Sequence, residues 1–468
     1  MKKSRLRFDI LSIKPMRTII ASPVFPVVLQ VFVVAVVLAV AYFGLGVGEG
    51  LDDSSIDILR KTNLSSLLVW GIWWPAMIAL VLFFGRVWCT VCPMELVNRV
   101  ADSVARKIGW WRVRLGKFLR AGWMVIAAYL VMQILVEVGD ANHIPNRTAL
   151  LLFGLVGFAF LTGLIFRHPR SFCQSFCPAG ALLSVYGRYT PLQLDISKDS
   201  VCDECVTKDC IREKNRYRFD KRSCPSLLQP YKREASDGCV LCFQCSKVCP
   251  YDNMGWGIVK AGAQVRRKSM LKPFEAVFIM VALGSVFHET AEEVPWFISI
   301  FDHVPESLAS MAPSWEGVFV FLWYIIVLPA VFWMLVSLLA LLFGQKASMG
   351  RVMIGAATGA APVVAIAHFA KASYKIFSFG GYLPAALSDP SGMETAHKIL
   401  NGSVGSPAAL VGLSVVGWIM LAATLFMAWL SLRWMRDLPD EIITVARTAM
   451  AGALVLFSSL LVIWGLSG

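Results

Sequence analysis

Apolar stretches long enough to cross a hydrocarbon core of ~30 Å recur along this chain and leave few folds open to it. They run over 18–44, 66–84, 121–139, 148–166, 273–289, 316–343, 352–371, 407–431 and 446–466. One such stretch is compatible with a buried core helix of a soluble protein. So many cannot all be buried within 468 residues. Charged residues make up 16% of the chain, against about 25% in ordinary soluble domains. The expectation is an all-α polytopic membrane protein of about nine transmembrane helices.

Lysine and arginine beside the spans set the expected orientation. They cluster at the N-terminus (Lys2, Lys3, Arg5, Arg7, Lys14, Arg17) and after the second span (Arg99, Arg106, Lys107, Arg112, Arg114, Lys117, Arg120). They cluster again before the fifth span (Lys260, Arg266, Arg267, Lys268, Lys272). The loop after that span carries Glu289, Glu292, Glu293, Asp302 and Glu306 with no basic residue. The N-terminus is therefore expected in the cytoplasm and the C-terminus outside, in the inner membrane of a bacterium. The first span follows a basic flank as a signal peptide does, but it is too long and no small-residue cleavage site follows, so it reads as an anchor. The net charge of +13 is mostly this topological signal. No aromatic-interleaved basic motif accompanies it, and nucleic acid is not an expected partner. A basic run inside the chain (Arg212, Lys214, Arg216, Arg218, Lys221, Arg222) suits an acidic redox partner or a solvated loop against anionic lipid.

Eight cysteines fall between Cys202 and Cys249. The second half of the run reads Cys239-x2-Cys242-x2-Cys245-x3-Cys249-Pro250, the bacterial signature of a [4Fe–4S] cluster. The first half reads Cys202-x2-Cys205-x4-Cys210, with Cys224-Pro225 thirteen residues on. In two-cluster ferredoxins the proline-flanked cysteine of each run ligates the other run's cluster. Cluster A is thus expected on Cys202, Cys205, Cys210 and Cys249, and cluster B on Cys239, Cys242, Cys245 and Cys224. Zinc ribbons lack this three-plus-one grouping, and a disulfide framework needs an oxidising compartment that the orientation denies. The expected division is 1–167, a four-helix membrane region; 168–272, a cytoplasmic segment with the inserted ferredoxin-like module; and 273–468, a five-helix membrane region.

The other four cysteines form two matching motifs, Arg86-Val87-Trp88-Cys89-Thr90-Val91-Cys92-Pro93 and Arg170-Ser171-Phe172-Cys173-Gln174-Ser175-Phe176-Cys177-Pro178. Each follows an even-numbered span. Proline suits a helix's first turn, which puts Cys92 and Cys177 at helix N-termini, where the dipole favours thiolate. Cys89, Cys92, Cys173 and Cys177 could together hold a third iron–sulfur site; two separate dithiols are the alternative.

His288 ends the fifth span, and His368, Lys371 and Lys375 share one face of the seventh. That face suits a quinol headgroup, haem propionates or an acidic partner, or else two snorkelling lysines beside a hydrogen-bonded histidine. Haem b held by His288 and His368 is a candidate arrangement; no Cys-x2-Cys-His motif for c-type haem occurs.

Cys-Pro motifs at span ends followed by a two-cluster module resemble the NapH/NosR membrane polyferredoxins, over roughly residues 60–260. These comprise the membrane ferredoxin-type subunit of periplasmic nitrate reductase systems and the nitrous-oxide reductase maturation protein. The resemblance implies electron transfer between the quinone pool or a cytoplasmic donor and a periplasmic redox enzyme or cytochrome. It marks Cys89, Cys92, Cys173 and Cys177 as the family's Cys-Pro residues. The first pair has a two-residue gap where the family usually has three, and the last four spans extend beyond the usual length. Rival readings are a redox maturation factor for a periplasmic metalloenzyme and a redox-gated transporter or regulator. Proline-broken helices with charges at mid-depth would mark the transporter, and Pro362 is the weak hint of one.

Overall fold

A computed structural model describes residues 8–218, 221–232, 238–258, 270–342 and 348–467. The basic residues Lys2, Lys3, Arg5, Arg7, Lys260, Arg266, Arg267 and Lys268 lie outside the described residues. Among those described, eight helices are long and apolar enough to cross a membrane. With a shorter apolar helix and three others they are α1 Val27–Gly44, α2 Leu64–Phe84, α3 Pro93–Lys107, α4 Trp123–Glu137, α5 Pro145–Ile165 and α6 Pro178–Tyr186. The rest are α7 Pro273–Ala291, α8 Pro295–Met311, α9 Pro313–Leu342, α10 Met349–Gly380, α11 Leu413–Asp437 and α12 Asp440–Leu466. Helices are the outcome because a segment in lipid must satisfy its own backbone polar groups.

Three expectations change. The third span, 121–139, is the 15-residue α4, about 22 Å at 1.5 Å per residue. The first, 18–44, is interrupted: a helix over Lys14–Ala21 stops before Pro23 and Pro26, and α1 begins at Val27. The acidic stretch after the fifth span is largely the helix α8, whose Trp296, Ile300, Val304 and Leu308 form an exposed apolar stripe at four-residue spacing.

The chain forms two compact units. One comprises the described residues of Met1–Val36, Leu80–Val125 and Leu155–Ser269; the other comprises those of Val37–Ala79, Ile126–Gly154 and Met270–Gly468. Four of their boundaries fall inside α1, α2, α4 and α5, and the fifth lies between Ser269 and Met270.

In the first unit, strands β1 Phe8–Asp9, β2 Leu192–Ile196 and β3 Met254–Ile258 make an antiparallel sheet in the order β1-β3-β2, with Leu194 opposite Trp256. The eight-cysteine run lies between β2 and β3. Beneath it Leu11, Ile20, Leu194, Ile196, Leu241, Phe243 and Met254 form an apolar core. Asp9 ties the N-terminal strand down, accepting from the Leu11 and Trp256 amides at 3.0 and 2.9 Å. Asn98 of α3 donates to the Ala159 carbonyl, Thr162 Oγ1 and Ser171 Oγ at 2.9–3.1 Å. A Cβ at Gly163 would sit 2.4 Å from the Asn98 carbonyl, so only glycine allows α5 this close to α3.

The second unit is a helix bundle. α10 and α12 meet through small residues: Ala356, Ala360 and Ala446 are fully buried, and a Cβ at Gly359 would lie 1.9 Å from the Ala446 carbonyl. α4 runs alongside α7 in the same direction, from Tyr129 packed on Phe278 (ring centroids 4.7 Å) to Glu137 beside His288. Short π-helical turns interrupt α2 at Leu67–Trp73 and α9 at Leu322–Val327.

Candidate iron–sulfur site

All twelve cysteines lie in the first unit, and none is in a disulfide. One cavity is lined by Cys202, Cys205, Cys210 and Cys249, with Cys245 also on its wall. A second is lined by Cys224, Cys239, Cys242 and Cys245. Cys245 is thus on the wall of both cavities. Around the first, sulfur accepts hydrogen bonds: Asn253 N to Cys249 (3.4 Å), Asn253 Nδ2 to Cys202 (3.3 Å) and Lys208 N to Cys205 (3.4 Å).

The backbone is bent to make these loops. Among the described residues seven non-glycines have left-handed φ between 40° and 59°, and six sit in cysteine loops: Arg170, Lys208, Leu227, Leu241, Phe243 and Asp252. Such conformations cost about 1–3 kcal/mol each and persist where the surroundings over-determine them.

The Cys-Pro motifs close a third group. Cys92 is the N-cap of α3 and Cys177 that of α6, where its Sγ accepts from the Gly180 amide at 3.2 Å. Cys92 lies within electrostatic reach of Cys173, Cys89 and Cys177. Burial and the neighbouring thiols push Cys92 well up, and burial takes Cys177 to about 12. Burial likewise raises Cys173, against which the Arg170 charge works.

A polar network that sequence reasoning missed lies beside these thiols. Glu95, 3% exposed, accepts from Arg222 Nη2 at 2.9 Å and from Gln30 Nε2 at 2.8 Å. Gln30 also donates to the Thr90 carbonyl (3.0 Å) and accepts from Arg99 Nη2 (2.8 Å). Burial alone would raise the Glu95 pKa; Arg222, Arg99 and Arg170 outweigh it and hold the carboxyl at about 2. Arg222 is therefore not part of a docking face or solvated loop, as the basic run suggested: its side chain is buried on Glu95. The available signal was the acid two residues behind Pro93, in the first turn of a Cys-capped helix. Thr90, between the first two cysteines, donates to the Val240 and Leu241 carbonyls at 3.2 and 2.9 Å.

The donor sets fit iron–sulfur cubanes better than single metal ions. Among the described residues no three His, Cys, Asp or Glu side chains are grouped to hold one ion. Thiolates on zinc, with Zn–S near 2.3 Å, stand only about 4 Å apart; here four thiols surround a cavity instead. Buried guanidinium N–H groups add to the fit, since Arg170 Nε and Arg222 Nε find no hydrogen-bond partner among the described residues. A cubane's sulfides are acceptors, and its net charge with four thiolates is negative.

In the second unit, His288 presents Nε2 to Glu292 at 3.4 Å and Nδ1 to Glu137 at 3.8 Å, and stacks on Tyr324 at 4.0 Å. Both nitrogens of His288 face carboxylates, so this ring does not fit an axial haem ligand, contrary to the expected haem b between His288 and His368. Lys371 is paired with Glu293 at 2.5 Å rather than presenting a free cation. His368 is buried 6.1 Å from the Trp74 ring, and Lys375 lies within reach of Glu289.

The family model that matches this chain falls on the third group of thiols. Residues 66–110 and 150–195 match the family model of a 4Fe–4S binding domain. Each matched segment holds the end of a span, its Cys-Pro motif and the helix behind it. Two uncharacterized proteins of Methanocaldococcus jannaschii are 26% and 22% identical over 37% and 38% of this chain, covering 65% and 75% of their own lengths. The methylamine utilization ferredoxin-type protein MauN of Paracoccus denitrificans is 26% identical over 30% of this chain and 55% of its own length. No solved structure matches. Two segments of the chain thus match a 4Fe–4S binding domain, and the chain carries apolar helices long enough to cross a membrane.

Proposed function

We propose that this chain is a membrane-embedded electron-transfer protein with three [4Fe–4S] stations, serving a route between the quinone pool or a cytoplasmic donor and a periplasmic redox enzyme. The observation that carries the reading is the gathering of all twelve cysteines in one unit, eight of them on the walls of two cavities and four in the Cys-Pro motifs. Bound there, such clusters supply one-electron transfer without proton exchange. Cys202, Cys205, Cys210 and Cys249 would hold one, Cys224, Cys239, Cys242 and Cys245 the second, and the Cys-Pro quartet the third. The chain's own part is to fix the thiolates on bent loops, donate amides to sulfur and balance buried negative charge with Arg170, Arg222 and Arg99. The resemblance to NapH/NosR polyferredoxins, with a cytoplasmic module, supports the same assignment.

The test is iron and acid-labile sulfide on anaerobically purified protein, about twelve of each for three cubanes. In Cys89→Ser, Cys177→Ser and the double variant, each single should lose the same four iron as the double, because one shared site fails as a unit. Additive losses of function at unchanged iron would mean two dithiols instead.

A further inference from the structure

The Cys-Pro quartet and the second cavity are stitched together at two points. Thr90, between Cys89 and Cys92, donates to the backbone carbonyls between Cys239 and Cys242. Arg170, three residues ahead of Cys173, donates through Nη1 to Ser226 Oγ at 2.7 Å, and Ser226 is on the wall of the second cavity. The same guanidinium lies close enough to Cys173 to favour its thiolate. Its charge bears on Cys173 and Cys89 on one side, and on Cys242 and Cys224 on the other. Arg170 is 6% exposed, so little solvent screens it, and its Nε still has no partner among the described residues. The second cavity in turn shares Cys245 with the first. The first has its own cation: Lys208 bears on Cys202 and Cys205.

We propose that Arg170 is a shared positioning residue that raises the reduction potentials of the quartet and second-cavity clusters together, making the second cavity the middle station of three. This rests on the quartet holding a cluster. The physics is Coulombic: adding an electron makes a cluster more negative, and a fixed cation at short range favours the more negative form. One guanidinium touching both walls therefore moves two potentials in the same direction. It keeps neighbouring stations close in potential whatever their absolute values. The cluster at the first cavity, beyond Cys245, is set by Lys208 and not by Arg170.

The test is a potentiometric titration of the intact, iron-loaded protein in detergent, with dithionite as reductant and low-temperature EPR as readout. Lys208→Gln should lower one signal alone and so identify the first-cavity cluster. Arg170→Gln should lower the other two, each by about tenfold in its reduction equilibrium, or ~59 mV for one electron. Arg170→Lys should restore most of both shifts at wild-type iron content, which a merely structural role would not do. If Arg170→Gln loses iron, Ser226→Ala gives the same reading: it keeps the charge but frees its anchor, and should move the same two signals down by less. Three signals in the wild type, of which these Arg170 and Ser226 variants move one, none or all three, would overturn the proposal while leaving the quartet cluster standing. Iron for only two cubanes in the wild type would overturn both.

Discussion

Glu95→Ala is the perturbation whose cost is best defined. The carboxylate is held at about 2, against an ordinary glutamate near 4.3, so its charged form gains about 2 pK units, or ~3 kcal/mol, from its surroundings. Removing it takes from buried Arg222 its carboxylate partner and leaves Gln30 short of an acceptor. Deleting one partner of a buried pair costs about 3–5 kcal/mol, in agreement. Amide hydrogen exchange read by mass spectrometry localises the effect: peptides from α3 should exchange ~10²-fold faster, while those of α10 and α12 stay unchanged. Arg222→Ala on top of Glu95→Ala should cost far less than on the wild type, because it removes the orphaned charge. The folded pKa lies below the unfolded one, so the stabilisation is present above about pH 4.3 and fades as pH falls toward 2. The gap between wild type and variant should therefore be flat from pH 6 to 8. A loss of protection under tenfold, or additive single costs, would refute the view of Glu95 as the clamp of this layer.

Two further outcomes are expected. Thr90→Val keeps the shape but removes the donor to the Val240 and Leu241 carbonyls; at about 1 kcal/mol, iron release to a chelator should quicken roughly fivefold, and an unchanged rate would show the contact to be idle. Reporter fusions after Lys272 and after Glu306 should report opposite compartments, the first cytoplasmic; the same compartment for both would deny that α7 crosses the membrane.

Sequence alone made the cysteine grouping legible because ligand spacing is a local property: Cys202, Cys205 and Cys210 must face one centre whatever surrounds them. The crossed ferredoxin pattern alone assigns Cys249 and Cys224; Cys249 is on the wall of the first cavity and Cys224 on that of the second. The spans were legible from length and apolarity, except where local chemistry intervened, as at Pro23 and Pro26. What sequence could not give was the network around Glu95. Its members Gln30, Glu95 with Arg99, Arg170 and Arg222 come from four distant parts of the chain, and each has an ordinary reading where it stands. Arg222 looked like one cation among six in a solvated loop, yet it is buried on Glu95. The apolar stripe of α8 was hidden for a different reason: the acids Asp302 and Glu306 dominate a reading by charge, although they lie off the stripe.

The location of Glu95 and the arginines follows from an electrostatic necessity. Twelve cysteines concentrated in one unit would, as thiolates, place a large negative charge where burial already pushes Cys177 and Cys242 to about 12. Iron offsets part of that charge, and the remainder has to come from groups that cannot themselves lose charge. Arginine meets that requirement, being protonated at any accessible pH, and its five donors can serve sulfur and oxygen at once. Several buried guanidiniums would in turn repel one another, and a single carboxylate between them relieves this. Glu95 takes that place, facing Arg222 and within reach of Arg99 and Arg170. The acid is thus as much a part of the cysteine site as the bases are, because without it the arginines that the thiolates need could not be packed so closely.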